Sequence, residues 1–347
     1  MYKNISISKE FTLTQVLKKM DVVEKKLLIV LQENKFFGLV SIGDIQRAII
    51  NNISLDTNVT EILRSDIKLA NPNDTFESIK AMMIKYRIEL CPIVDNNNNI
   101  LKIYFWEDIF KDEKIQPFEK FDLPIVVMAG GIGSRLKPLT NVLPKPLIPI
   151  GDDTIIENIF KRFSNHGCSQ FFISVNYKAD LISYYLKSQK LPYNLEFFIE
   201  DKPMGTAGSL SLLKGKIKKT FFVSNCDILI DQDYSEILNY HKKSENEITV
   251  IAVIKNQTIP YGTIETGANG ELINLTEKPE ITFKVNSGMY ILEPHLLDQI
   301  PDNKFFHITH LIEKIKQRNG KVGVFPINNN SWKDIGIWSE YLKTINI

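Results

Sequence analysis

From Met128 to Pro146 the chain reads MAGGIGSRLKPLTNVLPKP, and this stretch decides the fold. The run just before the glycines, residues 123–129, is short and apolar, which is typical of a buried parallel strand. Gly130, Gly131 and Gly133 then allow the backbone to turn sharply and to approach a ligand closely. Successive backbone N–H groups in such a loop form a concave site for an anion. The sequence therefore predicts a strand that ends in a phosphate-binding loop.

Two basic side chains follow the glycines at positions suited to phosphate. Arg135 offers a planar fork of donors that fits phosphate oxygens, and Lys145 offers a mobile point charge. The prolines that stiffen this segment are Pro138, Pro144 and Pro146. The spacing matches neither the dinucleotide-binding fingerprint nor the P-loop, and a glycine-rich turn with incidental basic residues is the alternative. Because the arginine, the lysine and the prolines all fall in register, a polyphosphate site is favoured.

The pattern GGxGxRLxPLT followed by PKP resembles the signature of the sugar-phosphate nucleotidyltransferases. Members of that family join a nucleoside triphosphate to a sugar 1-phosphate and release pyrophosphate. The resemblance implies an α/β fold, with a Rossmann-like (GT-A-like) mixed sheet and helices on both faces. One small departure is Ser134, where many members have threonine, and both residues are small and carry a hydroxyl.

The rest of the C-terminal two thirds alternates apolar strand-like runs with helical segments, which is the pattern of an α/β sheet. The clearest strands are residues 171–175, 195–199, 221–224 and 249–253. Ligands in such sheets bind beyond the carboxyl ends of the strands. We therefore expect functional side chains in the segments that directly follow these runs.

A metal site is expected from two aspartates. Asp227 follows the strand at 221–224, where a carboxylate facing a triphosphate suits Mg²⁺, which prefers a few carboxylates plus phosphate oxygens and waters. An aspartate at this place is a metal ligand in the family, and the resemblance implies Asp334, in WKDIG at 332–336, as the second. The alternatives are a helix N-cap at Asp227 and an ordinary turn around Asp334.

Three further segments resemble the family's base and sugar contacts. EDKPMGTAGS at 200–209 matches a loop ending in GTAG that lies against the nucleobase, although a flexible loop would also explain its glycines. EKP at 277–279 matches a motif whose glutamate contacts sugar hydroxyls and whose lysine contacts the sugar phosphate, although it is a common tripeptide. VNSGMY at 285–290 matches the sugar-side strand, whose asparagine donates to a hydroxyl and whose glycine makes room for the ring.

The resemblance thus implies a full set of site residues. The nucleotide-binding residues are Ala129, Gly130, Gly131, Gly133, Ser134, Arg135, Lys145, Gly205, Thr206 and Ala207. The sugar-phosphate-binding residues are Glu277, Lys278, Asn286 and Gly288. The catalytic residues are Arg135, Lys145 and Lys278, and the metal ligands are Asp227 and Asp334. In the implied reaction an oxygen of the sugar 1-phosphate attacks the α-phosphorus in line, and positioning and charge neutralisation supply most of the rate.

The first third of the chain repeats itself. The segment at 11–20 resembles that at 74–83, and Asp44 corresponds to Asp108, with one residue inserted in the second copy, in the turn at 95–99. Each copy reads as helix, strand, turn, strand and helix. This pattern resembles a pair of CBS motifs, which form one compact Bateman module.

Clefts in CBS modules often bind adenosine nucleotides through a hydroxyl residue and an aspartate that holds the ribose. Ser41 and Asp44 fit this pair in the first copy, whereas Phe105 replaces the hydroxyl residue in the second. At most one regulatory site for an adenine or guanine nucleotide is therefore expected. A structural or dimerising module that binds nothing is an equal alternative.

The domain organisation follows from these segments. We expect a tandem CBS pair at 1–116, with copies at about 1–55 and 60–116, and a nucleotidyltransferase domain at 123–347. The linker at 117–122 belongs to a polar, proline-bearing stretch, which is typical of a domain boundary.

The composition predicts a cytoplasmic protein that binds neither nucleic acid nor membranes. The chain has 42 Lys and Arg against 41 Asp and Glu, a formal net charge of +1, so no basic footprint for such partners is visible. No apolar run approaches the roughly 20 residues that cross a bilayer, and the N-terminus does not resemble a secretory signal. Three separated cysteines fit a reducing cytoplasm and neither a disulfide framework nor a zinc site.

The sequence thus predicts a Mg²⁺-dependent sugar 1-phosphate nucleotidyltransferase, expected to be a homo-oligomer. The GTAG form with Thr206 is more like the mannose and heptose guanylyltransferases than the thymidylyltransferases, which favours GTP. Fusion to a CBS pair resembles the guanylyltransferases that make GDP-glucosamine for legionaminic acid-type sugars, which favours glucosamine 1-phosphate. A uridylyl- or thymidylyltransferase and a mannose or heptose guanylyltransferase are the alternatives within this class. A non-catalytic nucleotide-sensing protein is the alternative from a different class.

Overall fold

A computed structural model of the chain describes residues 2–86, 88–110 and 118–345. By their contacts the residues form two compact units. The first unit comprises Met1–Pro117, Ile254–Lys284 and Asn328–Asn330, and the second comprises Phe118–Val253, Val285–Ile327 and Ser331–Ile347. The predicted boundary at 116 and 117 lies outside the described residues, and the predicted division into domains stays a prediction.

The repeated segment belongs to the first unit. Its elements are β1 (Ser6–Ser8), α1 (Leu13–Val23), β2 (Leu27–Gln32), β3 (Lys35–Ser41), α2 (Ile42–Ile50), α3 (Phe76–Tyr86), β4 (Leu90–Val94), β5 (Ile100–Phe105) and α4 (Trp106–Ile109). Each copy contains the helix, strand, turn, strand and helix that the sequence predicts. In the first copy β1 pairs with β2 in parallel and β2 pairs with β3 antiparallel. In the second copy β4 and β5 are antiparallel, and a single parallel bridge from Ala70 to Ile93 takes the place of β1.

The inserted residue lies in the second hairpin. The first hairpin runs from Leu27 to Ser41 and the second from Leu90 to Phe105, so the second hairpin is one residue longer. The strands are joined by residues 33–34 in the first copy and by residues 95–99 in the second. The longer turn accommodates the insertion. Leu90 and Val94 of β4 join the core of the first copy, whereas Cys91 of β4 packs into a second core with α3.

The second unit alternates strands and helices along the chain. Its elements are β6 (Ile125–Met128), α5 (Leu139–Val142), β7 (Pro149–Ile150), β8 (Asp153–Thr154), α6 (Ile155–Ser164), β9 (Gln170–Val175), α7 (Ala179–Ser188), β10 (Asn194–Ile199), β11 (Phe221–Asn225), β12 (Ile228–Ile230), α8 (Tyr234–Lys243), β13 (Ile248–Thr258), β16 (Glu280–Leu292), α9 (Ile308–Gln317), β17 (Val322–Ile327), β18 (Trp332–Asp334) and α10 (Trp338–Thr344). Strands β13 and β16 also have residues in the first unit. That unit further contains the hairpin of β14 (Thr263–Thr266) and β15 (Leu272–Thr276).

A seven-stranded mixed sheet organises the second unit, in the order β10-β9-β6-β11-β16-β13-β17. Strand β6 is parallel to β9 and β11, and β9 is parallel to β10. The sheet is mixed because β16 is antiparallel to β11. This architecture, a central mixed sheet with helices, confirms the predicted α/β fold.

Apolar side chains explain why these strands and helices form. Strands β6, β9 and β11 are buried along most of their length, as expected for central strands that are covered on both faces. Helix α6 begins with a capping box in which Thr154 and Glu157 satisfy each other's backbone N–H groups, and it buries Ile159 and Phe160 against the sheet. In the part of the chain that the structure describes, no helix is both long and apolar enough to cross a membrane.

Candidate active site

The strand order creates a switch point beside β6. The chain runs from β6 to β9 and β10 on one side and returns to β11 on the other side of β6. At such a point the loops after the two central strands diverge and leave room for a ligand at their carboxyl ends. The glycine-rich loop follows β6, Asp227 follows β11, and Met128 pairs with Asn225 at the strand ends. The topology thus brings the predicted phosphate loop and a predicted metal ligand to the same edge of the sheet.

A second strand pairing brings Asp334 to Asp227. Strand β12 begins directly after Asp227 and is antiparallel to β18, with Ile228 opposite Asp334. The N–H of Ile335 donates to the carbonyl oxygen of Asp227 at 2.9 Å. Two carboxylates that are far apart in the chain are therefore fixed as neighbours by backbone hydrogen bonds.

Two cations meet these carboxylates. Lys145 Nζ donates to Asp227 Oδ2, and both residues are buried, with 7% and 8% exposure. Arg135 is exposed, and its guanidinium lies 3.8 Å from Asp227 Oδ2 and 3.8 Å from Asp334 Oδ2. Opposite charges lower the cost of burying the aspartate, while the arginine stays open to solvent. The site is a balanced cluster of two negative and two positive groups.

Gly336 completes the cluster, although the sequence did not single it out as a site residue. A Cβ atom at this position would lie 2.6 Å from Asp334 Oδ1, 2.7 Å from Asp227 Oδ2 and 2.8 Å from Lys145 Nζ. The N–H of Gly336 donates to Asp334 Oδ1 at 2.8 Å. A glycine is required here because the charged groups occupy the space of a side chain. The WxDxG spacing carried this signal, since its glycine follows Asp334 by two residues.

The two carboxylates are suitable ligands for Mg²⁺. Their oxygens are hard donors, and Mg²⁺ commonly combines one or two carboxylates with phosphate oxygens and waters. Among the residues that the structure describes, no group of three or more His, Cys, Asp or Glu side chains forms a metal site. Asp227 and Asp334 therefore stay the predicted metal ligands, and a bound triphosphate would supply further oxygens.

The glycine-rich loop packs closely onto its surroundings. Gly133 has a φ of +70°, and a Cβ there would lie 2.9 Å from the Thr140 side chain and 3.2 Å from Lys145 Cβ. The Thr140 hydroxyl donates to the Gly133 carbonyl at 3.0 Å. No atom lies within 4 Å of a Cβ placed at Gly131, so this part of the loop borders open space. The loop is thus anchored at Gly133 and free to meet a ligand at Gly131.

Comparisons with known proteins agree with this geometry. The sequence pattern of the family described as nucleotidyl transferase matches residues 125–347, and that of the CBS domain matches residues 59–112. The chain belongs to the nucleotidyl transferase family. It combines a nucleotidyl transferase domain with a CBS domain, which confirms the resemblance to both families. The CBS match covers the second copy, and the first copy at about 1–55 stays a prediction.

Named relatives point in the same direction. Over 184 residues the chain is 33% identical to mannose-1-phosphate guanyltransferases of Aspergillus oryzae and Saccharomyces cerevisiae, covering 50% of this chain and 50% and 51% of those proteins. The chain thus spans about half the length of these curated relatives. The crystal structure of HddC from Yersinia pseudotuberculosis superposes with a TM-score of 0.52 at 25% identity, covering 65% of this chain and 98% of that one.

Glu200 of this nucleotidyl transferase is a buried carboxylate that the sequence did not single out as a site residue. It directly follows β10, is 6% exposed, and accepts hydrogen bonds from the Ser174 hydroxyl and, at 3.1 Å, from the Met204 N–H. A Cβ at Gly130 would lie 2.9 Å from Glu200 Oε1, so the carboxylate lies against the glycine-rich loop. Both of these donors are neutral, and no ion pair of Glu200 is seen among the described residues. A buried carboxylate bonded only to neutral donors retains acceptor capacity for a ligand.

The GTAG loop is held by the segment before α9. A Cβ at Gly205 would lie 2.7 Å from the Phe306 carbonyl oxygen, and the N–H of Ala207 donates to that oxygen at 3.0 Å. The Thr206 hydroxyl accepts from the N–H of Ile308 at 3.1 Å. The threonine thus helps to cap α9, and its predicted contact with the nucleotide stays a prediction.

The predicted sugar-side residues fall in both units. In the second unit Asn286 is exposed, and its amide donates to the Tyr290 hydroxyl at 2.6 Å. Gly288 has a φ of +86°, and a Cβ there would lie 2.6 Å from the Asn225 amide nitrogen, so it makes room for a protein side chain. Glu277 and Lys278 lie between β15 and β16 and belong to the first unit. The sugar contacts of all four predicted residues stay predictions.

Cys226 directly precedes Asp227, and its thiol is buried. Burial, followed by the charge of Asp227, raises the pKa of its thiol to about 12. The thiol therefore stays protonated near neutral pH, and Cys226 acts as a packing residue.

The predicted nucleotide-binding pair of the CBS segment caps a helix. Ser41 is the N-cap of α2, and Asp44 Oδ2 accepts from its N–H at 2.8 Å and from its hydroxyl at 2.6 Å. Asp44 Oδ1 pairs with Arg47 and, at 2.8 Å, with Arg64 Nε. Asp44 is almost fully buried, so a ribose would have to compete with two arginines for it. Nucleotide binding at this pair stays a prediction.

Proposed function

We propose that this chain is a Mg²⁺-dependent sugar 1-phosphate guanylyltransferase. The observation that carries the proposal is the cluster of Asp227, Asp334, Lys145 and Arg135 at the switch point of the sheet, beside the glycine-rich loop. Carboxylates for a cation and basic groups for phosphate are the requirements of nucleotidyl transfer. The named guanyltransferase relatives support the same class.

The reaction needs little covalent participation from the protein. A phosphate oxygen of the sugar 1-phosphate forms a bond to the α-phosphorus, and the bond from that phosphorus to the bridging oxygen of pyrophosphate breaks. The attacking oxygen is already ionised at neutral pH, so no general base is required. Asp227 and Asp334 would hold Mg²⁺, which would supply neutralisation of charge around the α-phosphorus of the transferred nucleotidyl group.

The protein groups act by position and charge. Lys145 is buried against Asp227, which fixes its ammonium beside the loop, and the exposed guanidinium of Arg135 can turn towards phosphate oxygens. Such preorganised charges stabilise the transition state without further rearrangement. Lys278 is the group that we assign to the sugar phosphate, on the basis of the EKP motif.

Glu200 supports guanine as the base. Guanine presents two adjacent donors, N1–H and the 2-amino group, and a carboxylate can accept both. Uracil and thymine present one N–H between two carbonyl oxygens. These oxygens would be repelled by a carboxylate. The position of Glu200 against Gly130 therefore favours GTP over UTP and dTTP.

A base-selectivity assay tests this assignment. With Mg²⁺ and a sugar 1-phosphate, we expect pyrophosphate release to be fastest with GTP among GTP, UTP, dTTP, CTP and ATP. Glu200→Gln should lower kcat/KM for GTP by about tenfold or more, since it replaces a charged acceptor by an amide that presents a donor. The matched control is Asp201→Asn, which alters the exposed neighbouring carboxylate. Equal kcat/KM for GTP in the wild type, Glu200→Gln and Asp201→Asn would show that Glu200 does not recognise the base.

The proposal for the sugar acceptor rests on the combination of domains. We propose glucosamine 1-phosphate, because a CBS segment accompanies the transferase domain, and mannose 1-phosphate, named in the relatives, is the first alternative. A non-catalytic nucleotide sensor is the alternative from a different class. Pyrophosphate release that depends on a sugar 1-phosphate distinguishes the enzyme from the sensor.

The remaining partners are also proposals. The CBS segment would bind an adenine or guanine nucleotide, and the enzyme would work as a homo-oligomer. Three free, buried cysteines support a reducing compartment such as the cytoplasm.

A further inference from the structure

Side-chain donors hold the backbone segment at 137–142 from two directions. The indole N–H of Trp338, at the start of α10, donates to the carbonyl oxygen of Lys137 at 2.9 Å. From the other direction, Lys178 Nζ donates to the carbonyl oxygens of the last two residues of α5, at 2.6 and 2.7 Å. All of these residues belong to the second unit.

These contacts fill acceptor positions that the local structure leaves open. Carbonyl groups in the last turn of a helix lack helical partners, so the ammonium of Lys178 satisfies the end of α5. Lys178 itself has a φ of +53°, which is uncommon for a residue other than glycine. The indole N–H of Trp338 can only donate, and the Lys137 carbonyl gives it an acceptor. Both side chains are thus directed at the backbone of one segment.

The position of Arg135 depends on this segment. Arg135 lies in the 3-10 turn Ser134–Leu136, which ends directly before Lys137. Its side chain is 60% exposed, and its guanidinium lies 3.8 Å from the carboxylates of Asp227 and Asp334. Exposed ion pairs of this kind contribute little to holding a side chain in one place. The place of the guanidinium is therefore set mainly by the backbone that carries it.

Helix α10 links this backbone to the other side of the charged cluster. The helix begins at Trp338, shortly after Asp334 and Gly336 in the chain. The bond from Trp338 to Lys137 therefore ties the segment that carries Arg135 to the segment that carries Asp334. Small displacements of groups that contact a substrate cost much of the rate, so a tie of this kind matters for the reaction.

We propose that Trp338 and Lys178 are positioning residues that act through Arg135. Together they fix the segment at 137–142, so that the guanidinium is already in place when a triphosphate binds. The inference rests on the proposed function, because that function assigns Arg135 to the triphosphate. Loss of either donor should weaken the use of the triphosphate and leave the use of the sugar 1-phosphate unchanged.

Two measurements on the full chain test this inference. Hydrogen exchange followed by mass spectrometry at residues 134–143 reports the order of the segment, without any need for activity. Its amides donate backbone hydrogen bonds within the segment, such as that of Asn141 to the carbonyl of Pro138 at 2.9 Å. Initial rates with GTP and the sugar 1-phosphate varied in turn separate the KM values of the two substrates.

The variants remove one donor each and keep the rest of the side chain. Trp338→Phe keeps an aromatic ring without the N–H, and Lys178→Met keeps the stem without the ammonium. Tyr341→Phe is the matched control on α10, because the hydroxyl of Tyr341 donates to the carbonyl of Pro149, outside the segment, at 3.2 Å. Lys187→Met is the matched control on α7, because its ammonium lies over the ring of Phe197.

We expect Trp338→Phe and Lys178→Met to speed exchange at 134–143 and to raise KM for GTP by about threefold to tenfold, as for the loss of a hydrogen bond. KM for the sugar 1-phosphate should not change, and both controls should stay near wild type. Wild-type exchange in Trp338→Phe and Lys178→Met would overturn the inference. A KM for GTP that stays unchanged, or that rises together with KM for the sugar 1-phosphate, would overturn it too.

An effect in only one of the two variants would overturn the role of the other residue. If the wild type transfers no nucleotide, the proposed function fails. The rate of exchange and the Kd for GTP, measured by calorimetry on the same variants, then decide the inference in the same way. Faster exchange with a weaker Kd would support it, and an unchanged Kd or no binding of GTP to the wild type would overturn it.

Discussion

At the scale of single residues, the proposed chemistry rests on four charged side chains. Asp227 and Asp334 are brought together by β12 and β18, and Lys145 and Arg135 meet them from the glycine-rich segment. In the free protein the cations partly neutralise the carboxylates. We expect a bound triphosphate to compete for the cations through its negative charge and so to leave the carboxylates available to Mg²⁺. The cluster is thus prepared for an anionic ligand that brings a cation with it.

Asp227→Asn should nearly abolish transfer. The substitution removes one anchoring charge and also leaves Lys145 without its buried partner. Loss of a preorganised electrostatic group of this kind costs about two orders of magnitude or more in kcat. Steady-state pyrophosphate release at saturating Mg²⁺ measures the effect, and Asp334→Asn should behave in parallel. Activity near wild type in Asp227→Asn would refute the metal assignment.

Substitution of Lys145 and of Lys278 should affect the use of different substrates. Lys145 is continuous with the glycine-rich loop, so Lys145→Ala should lower kcat/KM for the triphosphate. Lys278 lies in the EKP segment, so Lys278→Ala should mainly raise KM for the sugar 1-phosphate. Initial rates with each substrate varied in turn measure both effects, with the exposed Lys333→Ala as control. Identical changes for both substrates in both variants would contradict this division of roles.

At the scale of elements, the strands were the most predictable part of the molecule. The apolar runs at 171–175, 195–199 and 221–224 correspond to β9, β10 and β11 with ends that differ by at most one residue. Strands β9 and β11 are central and buried, which gives them strong local patterns, whereas β10 is a partly exposed edge strand that its apolar run still marks. The run at 249–253 is only part of β13, which continues to Thr258 where the burial is lower. Local patterns mark buried strands well and exposed extensions poorly.

Contacts between distant segments were less predictable. The need for glycine at position 336 becomes visible only when β18 is paired with β12, and the proximity of Glu200 to Gly130 requires β10 and β6 to share a sheet. Similarly, the pattern of apolar and polar residues at 254–284 does not indicate that these residues form one compact unit with the N-terminal segment. Asp227 and Asp334 were predicted only from the family's motifs. The local sequence does not show that β12 and β18 pair and bring the two aspartates together.

The cap of α2 provides a prediction at this scale. Ser41→Ala removes the N-cap hydroxyl and should destabilise the first turn of α2 by about 1 kcal/mol. Hydrogen exchange at residues 42–46 of the full chain measures the loss, and Ser65→Ala, at an exposed serine, serves as the control. If a nucleotide does bind through Ser41 and Asp44, calorimetry on the same variant should show weaker binding. Unchanged exchange at 42–46 would show that the cap contributes nothing.

At the scale of the whole molecule, acid stability depends partly on an ion pair that joins two segments of the second unit 71 residues apart in the chain. Glu247, just before β13, pairs with Arg318, after α9, and accepts from His295 Nε2 at 2.8 Å. The hydrogen bond from Arg318 is the main cause that lowers the pKa of Glu247 to about 2, and His295 adds to it.

A carboxyl with a lowered pKa stabilises the fold above its ordinary value of 4.5, and this contribution is lost as the pH falls towards 2. Glu247→Gln should therefore lower the thermal midpoint at pH 7. The loss in the free energy of unfolding should be no more than about 1 kcal/mol, because water screens the exposed partners of Glu247. The difference from wild type should shrink between pH 4.5 and 2 in a series of thermal melts. Glu313→Gln, at an exposed glutamate of α9, is the control, and a difference that grows on acidification would contradict the assignment.

The most direct test of the whole molecule is acceptor-dependent release of pyrophosphate. Purified protein is incubated with Mg²⁺ and GTP, with and without glucosamine 1-phosphate or mannose 1-phosphate, and pyrophosphate and the nucleotide sugar are both quantified. We predict equimolar pyrophosphate and GDP-sugar in the presence of one of these acceptors, and neither product in its absence. Binding of GTP without any release of pyrophosphate, across all common triphosphates and a panel of sugar 1-phosphates, would contradict catalysis and identify a nucleotide sensor instead.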